Sequence, residues 1–159
     1  MGAGKTSVGR QLALALNRDF FDSDHEIVER TGVAIDYIFD VEGEAGFRIR
    51  ETQMLKDLCK IPNIIIATGG GVVISPENRE LLKQDSFVVY LFSSIRQLVK
   101  RTKASKSRPL LEKSDDPEQT LRDLAAAREG FYREVADVVI DTTGKRLQAV
   151  ITKIKQAMV

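Results

Sequence analysis

Val8, Leu12, Ala15 and Leu16 recur at helical spacing over residues 5–16, and Asn17 follows as a stop, so the chain opens with a helix. Phe20-Phe21-Asp22 is a short apolar run ending in an acid, and predicts a strand. Ser23 then caps a second helix with Asp24 and Glu26 in its early positions. A break around Gly43 precedes a long helix over residues 44–58, with Phe47, Met54, Leu55 and Leu58 on one face and Pro62 after it. Ile64-Ile65-Ile66-Ala67 is a continuous apolar run suited to a strand buried on both faces, and it empties into Thr68-Gly69-Gly70-Gly71. Residues 87–91 and 138–140 are two further strand runs. Helical patterns cover residues 76–82, 95–102, 117–135 and 147–158. Strands alternating with helices predict an α/β fold with a parallel sheet.

Length and composition narrow this picture. A chain of 159 residues, 43% hydrophobic and 30% charged, suits one compact domain spanning residues 1–159. The 24 Lys and Arg residues against 23 Asp and Glu give a net charge of +1, which provides no broad field for nucleic acid or an anionic membrane. Any anion site is therefore local. Cys59 is the single cysteine, expected from its helical position to be a buried or partly buried thiol, and it excludes an internal disulfide. No apolar run marks a signal peptide or a membrane span, and the expected location is cytoplasmic. Residues 103–116 differ from the rest: they are polar and charged, with Pro109 and the apolar pair Leu110-Leu111, as in a functional or disordered loop.

Candidate chemistry begins at the N-terminus. Gly2-Ala3-Gly4-Lys5-Thr6 is the second half of G-x-x-x-x-G-K-[ST], a loop whose backbone N–H groups surround phosphates at a helix start. Lysine in that motif bridges the β and γ phosphates, and the hydroxyl binds Mg²⁺. The first glycine would fall two residues before Met1, and the strand that feeds such a loop is absent. The natural polypeptide is therefore expected to start upstream, and the chain as given to be marginally stable, poorly folded or inactive.

Further motifs follow in order: Asp22-Ser23-Asp24, Arg30-Thr31-Gly32, Ile38-Phe39, Glu42-Gly43-Glu44, Phe47-Arg48, Gly69-Gly70-Gly71, Arg108-Pro109-Leu110-Leu111 and Arg128. Together with the phosphate loop they resemble the shikimate kinases, a branch of the nucleoside monophosphate kinase-like P-loop fold. The resemblance runs from Met1 to the last helix. It implies a three-layer fold: a central parallel sheet flanked by helices, a lid at about residues 103–116, and a shikimate-binding helical region at about residues 24–58. The first central strand would be missing from this chain. The implied reaction transfers the γ-phosphoryl of ATP to the 3-hydroxyl of shikimate, giving shikimate 3-phosphate and ADP on the route to chorismate.

Residue roles follow from the resemblance. Gly2, Ala3, Gly4, Lys5, Thr6 and Ser7 would hold the ATP phosphates, and Arg101 and Lys145 would flank the adenine. Thr6 and Asp22 would hold Mg²⁺, the acid through water. Asp24 would bind the substrate hydroxyl and act as base, while Lys5 and Arg108 would stabilise the transferring phosphate. Arg48 and Arg128 would receive the shikimate carboxylate, and Gly69, Gly70 and Gly71 would let the polyol ring approach the backbone. His25 is the only histidine and is expected to be a solvated helix residue, and Asp141 is left out of catalysis. The implied enzyme is a monomer acting on a small molecule. The nearest rivals are another acid kinase on the same fold, such as a gluconate kinase, and an inactive, truncated ligand-binding form.

Overall fold

The computed structural model describes residues 2–102 and 115–159, so Arg108, Lys103, Lys106 and nearly all of the expected lid lie outside the described residues. Two compact units make up the chain, one of Lys5–Ser86 and one of Met1–Gly4 with Phe87–Val159.

In the first unit, helix α1 (Lys5–Leu16) leads to strand β1 (Asp19–Asp22), with Asn17 in the left-handed region at φ 52° making the turn. Gly9 lets α1 lie close on β1, because a Cβ there would meet the Phe20 ring at 2.5 Å. Helix α2 (Ser23–Thr31) follows at once and ends on Gly32 in the left-handed conformation. Helix α3 (Ile35–Cys59) is longer than the periodicity predicts. It starts nine residues earlier, at Ile35 rather than residue 44, and the expected break appears inside it, where Gly43 adopts φ 71° and ψ −178°. Strand β2 (Ile64–Ala67) pairs in parallel with β1. A 3-10 turn (Val72–Ile74) and helix α4 (Pro76–Asp85) complete the unit, α4 being capped by the Ser75 hydroxyl.

Apolar side chains from α2, α3 and the strands form one core. Ile27, Ile38, Phe47, Met54 and Leu58 are buried together, with Phe21, Val33, Ile35, Phe39, Ile64 and Ile66 packed around them. Each of these large side chains contributes roughly 1.5–3 kcal/mol when fully removed from water.

In the second unit, strand β3 (Val89–Phe92), helices α5 (Ile95–Thr102) and α6 (Pro117–Val135), strand β4 (Val138–Asp141) and helix α7 (Leu147–Ala157) run in that order. β3 and β4 are parallel, with Val89 opposite Val138 and Phe92 opposite Asp141. β3 begins two residues later than predicted: Phe87 is exposed, and the Val88 N–H is taken by the Asp137 carboxylate. The parallel strands thus form two pairs, one in each unit, and among the described residues no strand joins them.

Candidate active site

The register of the first unit decides where its chemistry gathers. Asp22 stands opposite Ala67 at the C-terminal ends of β1 and β2, so the Asp22-Ser23-Asp24 and Gly69-Gly70-Gly71 segments leave the sheet side by side. Ligands on parallel α/β sheets bind at that end of the strands.

The phosphate loop has the backbone its motif demands: Gly2 at φ 72° and Gly4 at φ 86° both occupy the left-handed region that favours glycine. Lys5 is the first residue of α1, where N–H groups lacking helical acceptors and the helix dipole attract anions. Ser7 is exposed on the same turn. The Thr6 hydroxyl donates to Asp22 Oδ2 at 2.7 Å, tying the loop to the acid segment.

Asp22 also caps α2, its Oδ1 accepting from the Asp24 N–H at 3.2 Å. This corrects the sequence expectation that Ser23 is the cap. Asp24 lies in the first turn of α2, partly buried, and its Oδ1 is enclosed with no hydrogen-bond partner. Burial pushes the Asp24 carboxyl above its usual range and the charge of Asp22 adds to this, while Lys5 and Arg48 oppose it.

On α3, Arg48 is held between two acids. Its Nη1 donates to Glu51 Oε2 at 2.8 Å, and its Nη2 and Nε to Glu44 Oε1 at 2.9 and 3.3 Å. Burial alone would make this guanidinium easier to deprotonate; Glu51 and Glu44 outweigh it and raise its pKa, so it stays charged. Glu51 is 1% exposed, a carboxylate kept inside by its ion pair. Glu44 and Glu51 were not among the expected site residues, although Glu44, Arg48 and Glu51 at spacings of four and three already share a helix face.

The glycine segment closes on these groups. A Cβ at Gly69 would lie 2.8 Å from Glu51 Oε1 and 3.0 Å from Asp24 Oδ1, and one at Gly71 would overlap the Arg48 guanidinium. Asp24, Arg48, Glu51, Gly69 and Gly71 therefore meet in one place, as the sequence expects for Asp24, Arg48 and the glycines.

In the second unit, Arg101 Nη1 donates to the Gly2 carbonyl at 3.1 Å, which sets this side chain against the phosphate-loop backbone. Lys145 Nζ donates to the Asp141 carbonyl at 2.6 Å, at the turn after β4. Arg128 sits on α6 and is 7% exposed. His25 is exposed beside Glu29, and Cys59 is half-buried against the Ser86 hydroxyl.

Among the described residues, no three or more His, Cys, Asp or Glu side chains gather to cage a metal ion. What the loop offers instead is a hydroxyl and a carboxylate in contact. That donor set fits Mg²⁺, which keeps several waters and takes one or two protein oxygens together with substrate phosphates. No helix of the described residues is long and apolar enough to cross a membrane.

Comparison with known proteins shows the family. The family model for shikimate kinase matches residues 1–159. A shikimate kinase of Chromohalobacter salexigens is 51% identical over 97% of this chain and 85% of its own. That of Halorhodospira halophila is 50% identical over 99% and 89%. The solved structure of shikimate kinase from Acinetobacter baumannii in complex with shikimate superposes with a TM-score of 0.96 at 48% identity, covering 99% of this chain and 88% of that one. Parallel strands flanked by helices behind a phosphate loop are the P-loop kinase fold expected from the sequence. With its motifs, fold and relatives in agreement over its whole length, this chain belongs to the shikimate kinase family.

Proposed function

We infer that this chain transfers the γ-phosphoryl group of ATP to the 3-hydroxyl of shikimate. The observation that carries this reading is the convergence of Asp24, Arg48 and the Gly69–Gly71 backbone at the strand ends, in a chain that belongs to this family.

Asp24 accepts the proton of the attacking hydroxyl through its enclosed carboxylate. A pKa raised above the usual carboxylate range makes it a stronger base than a solvated aspartate. The hydroxyl oxygen bonds to the γ-phosphorus as the bond to the ADP oxygen breaks, and ADP leaves with that electron pair. Lys5 and the amides of Gly2–Ser7 neutralise the phosphate charge, and Arg108 adds to it. Thr6 and, through water, Asp22 would hold Mg²⁺, which when bound would neutralise charge on the phosphate oxygens.

Arg48 takes the substrate carboxylate. Three of its five N–H groups are used by Glu44 and Glu51, which fixes the plane of the fork and leaves one hydrogen on each terminal nitrogen for a bidentate contact. Arg128 is the second carboxylate receptor, and Arg101 and Lys145 flank the adenine. The enzyme works as a cytoplasmic monomer.

The test is ADP release with ATP, Mg²⁺ and a panel of acceptors. Shikimate is expected to support turnover, while gluconate and nucleoside monophosphates do not. Phosphorylation of either of those, with shikimate inert, would refute the assignment.

A further inference from the structure

Ser23 lies between the two acids, yet it does not cap α2, since Asp22 fills that place. It is 1% exposed, and its Oγ accepts the N–H of Gly69 at 3.3 Å, 46 residues away in sequence. A Cβ at Gly69 would meet the carboxylates of Asp24 and Glu51. One glycine is thus met by Ser23 at its amide and by both acids at its Cα.

The far end of the same turn is secured separately. The Val72 N–H donates to the Gly69 carbonyl at 3.3 Å, and the Val72 carbonyl accepts from Asn78 Nδ2 at 2.9 Å, with Asn78 itself 1% exposed. Two buried side chains therefore grip the turn, Asn78 at Val72 and Ser23 at Gly69. Ser23 links it to the segment carrying Asp24. Because Ser23 and Asp24 are consecutive in one helical turn, a shift of Gly69 against Ser23 is also a shift against Asp24. Asp22, on the other flank, is bonded to the phosphate loop through Thr6. The three residues divide their duties: Asp22 serves the nucleotide side, Asp24 the chemistry, and Ser23 the glycine turn.

We propose that Ser23 is a positioning residue whose hydroxyl clasps the Gly69 amide and so sets the spacing between the Asp24 carboxylate and the glycine turn that receives the acceptor. The proposal rests on the shikimate reading above. Its signature is an effect on the acceptor without an effect on ATP, because the clasp joins the acceptor-side backbone and leaves the Thr6–Asp22 bond untouched.

The experiment compares the wild-type chain with Ser23→Ala and with Ser23→Cys, whose thiol is somewhat larger and a weak acceptor. KM for shikimate and for ATP are measured by ADP release, and amide hydrogen exchange is followed at Gly69. Shikimate KM is expected to rise about threefold to tenfold, the worth of one hydrogen bond. ATP KM should stay unchanged, and Gly69 should exchange faster. If Ser23→Ala does not fold, Ser23→Cys decides. Wild-type shikimate KM with unaltered Gly69 exchange in the folded variants would overturn the proposal, as would an equal rise in both KM values. Should the wild-type chain turn over no shikimate while Gly69 exchange still accelerates in the variants, the substrate reading falls and the clasp stands.

Discussion

Replacing Gly69 by alanine tests the geometry of the acceptor site with a single methyl group. The new Cβ would stand 2.8 Å from Glu51 Oε1 and 3.0 Å from Asp24 Oδ1, so reaching the 3.4 Å of ordinary contact requires about 0.6 Å of movement at Glu51 and about 0.4 Å at Asp24. Neither acid yields easily. Glu51 is buried and ion-paired to Arg48, and Asp24 is partly buried at the start of α2. Overpacking of this kind costs about 1–3 kcal/mol, or roughly 2–12 °C of melting temperature for a domain of this size. The greater effect falls on turnover, since displacing a reacting group by about 1 Å costs on the order of 100-fold. Gly69→Ala is therefore expected to lower kcat for shikimate about 10- to 100-fold, measured by coupled ADP release, with a modest loss of melting temperature. Gly130→Ala is the control: no atom lies within 4 Å of its Cβ position in α6, so it should leave kcat intact and, at a helix interior, stabilise by about 0.5–1 kcal/mol. A Gly69→Ala enzyme with the kcat and melting temperature of the wild type would show that the two carboxylates do not crowd this glycine, and the site geometry would have to be redrawn.

Asp24→Asn should lower kcat by about 10²–10⁴-fold while ATP binding, followed by calorimetry, persists; wild-type turnover would remove Asp24 as the base. Glu51→Gln keeps the shape of the Arg48 clamp and loses its buried charge, so shikimate KM should rise about tenfold and the melting temperature should fall; an unchanged KM would show that Glu44 alone orients the guanidinium. Arg128→Ala is expected to weaken shikimate binding by a few kcal/mol, read by titration, and unaltered affinity would exclude it from the site. Chelation with EDTA should abolish turnover and added Mg²⁺ restore it, and Thr6→Val should raise the Mg²⁺ concentration needed for half-maximal rate. A Thr6→Val enzyme with the wild-type Mg²⁺ requirement would dismiss that hydroxyl as a ligand.

What could be read from the sequence depended on whether the signal was local. Ile64–Ala67 announces a strand because four apolar residues in a row suit no half-exposed helix, and β2 has those bounds. The limits of α1, α5 and α6 were legible for similar reasons, with Pro117 at the start of α6. The segment before Gly43 was not, since Ile38 and Phe39 alone give too short a period to declare a helix. Among candidate site residues, Lys5, Asp24, Arg48 and the glycines could be named by motif. Ser23 was misjudged because a serine before helical residues is usually a cap, and only the pairing of β1 with β2 brings Gly69 within its reach. Glu51 escaped notice because a carboxylate on a helix is ordinarily solvated, although its place four residues after Phe47 and three before Met54 already sets it on the apolar face of α3.

The bend in α3 has a stereochemical corollary. Gly43 sits at φ 71° and ψ −178°, the mirror image of an ordinary extended conformation, and a side chain there would meet no atom within 4 Å. For an L-alanine the obstacle is thus the handedness of the bend and not a clash of its Cβ. L-Alanine would strain the bend, whereas a D-alanine introduced by chemical synthesis would occupy its own preferred region and keep the two segments of the helix at their present angle.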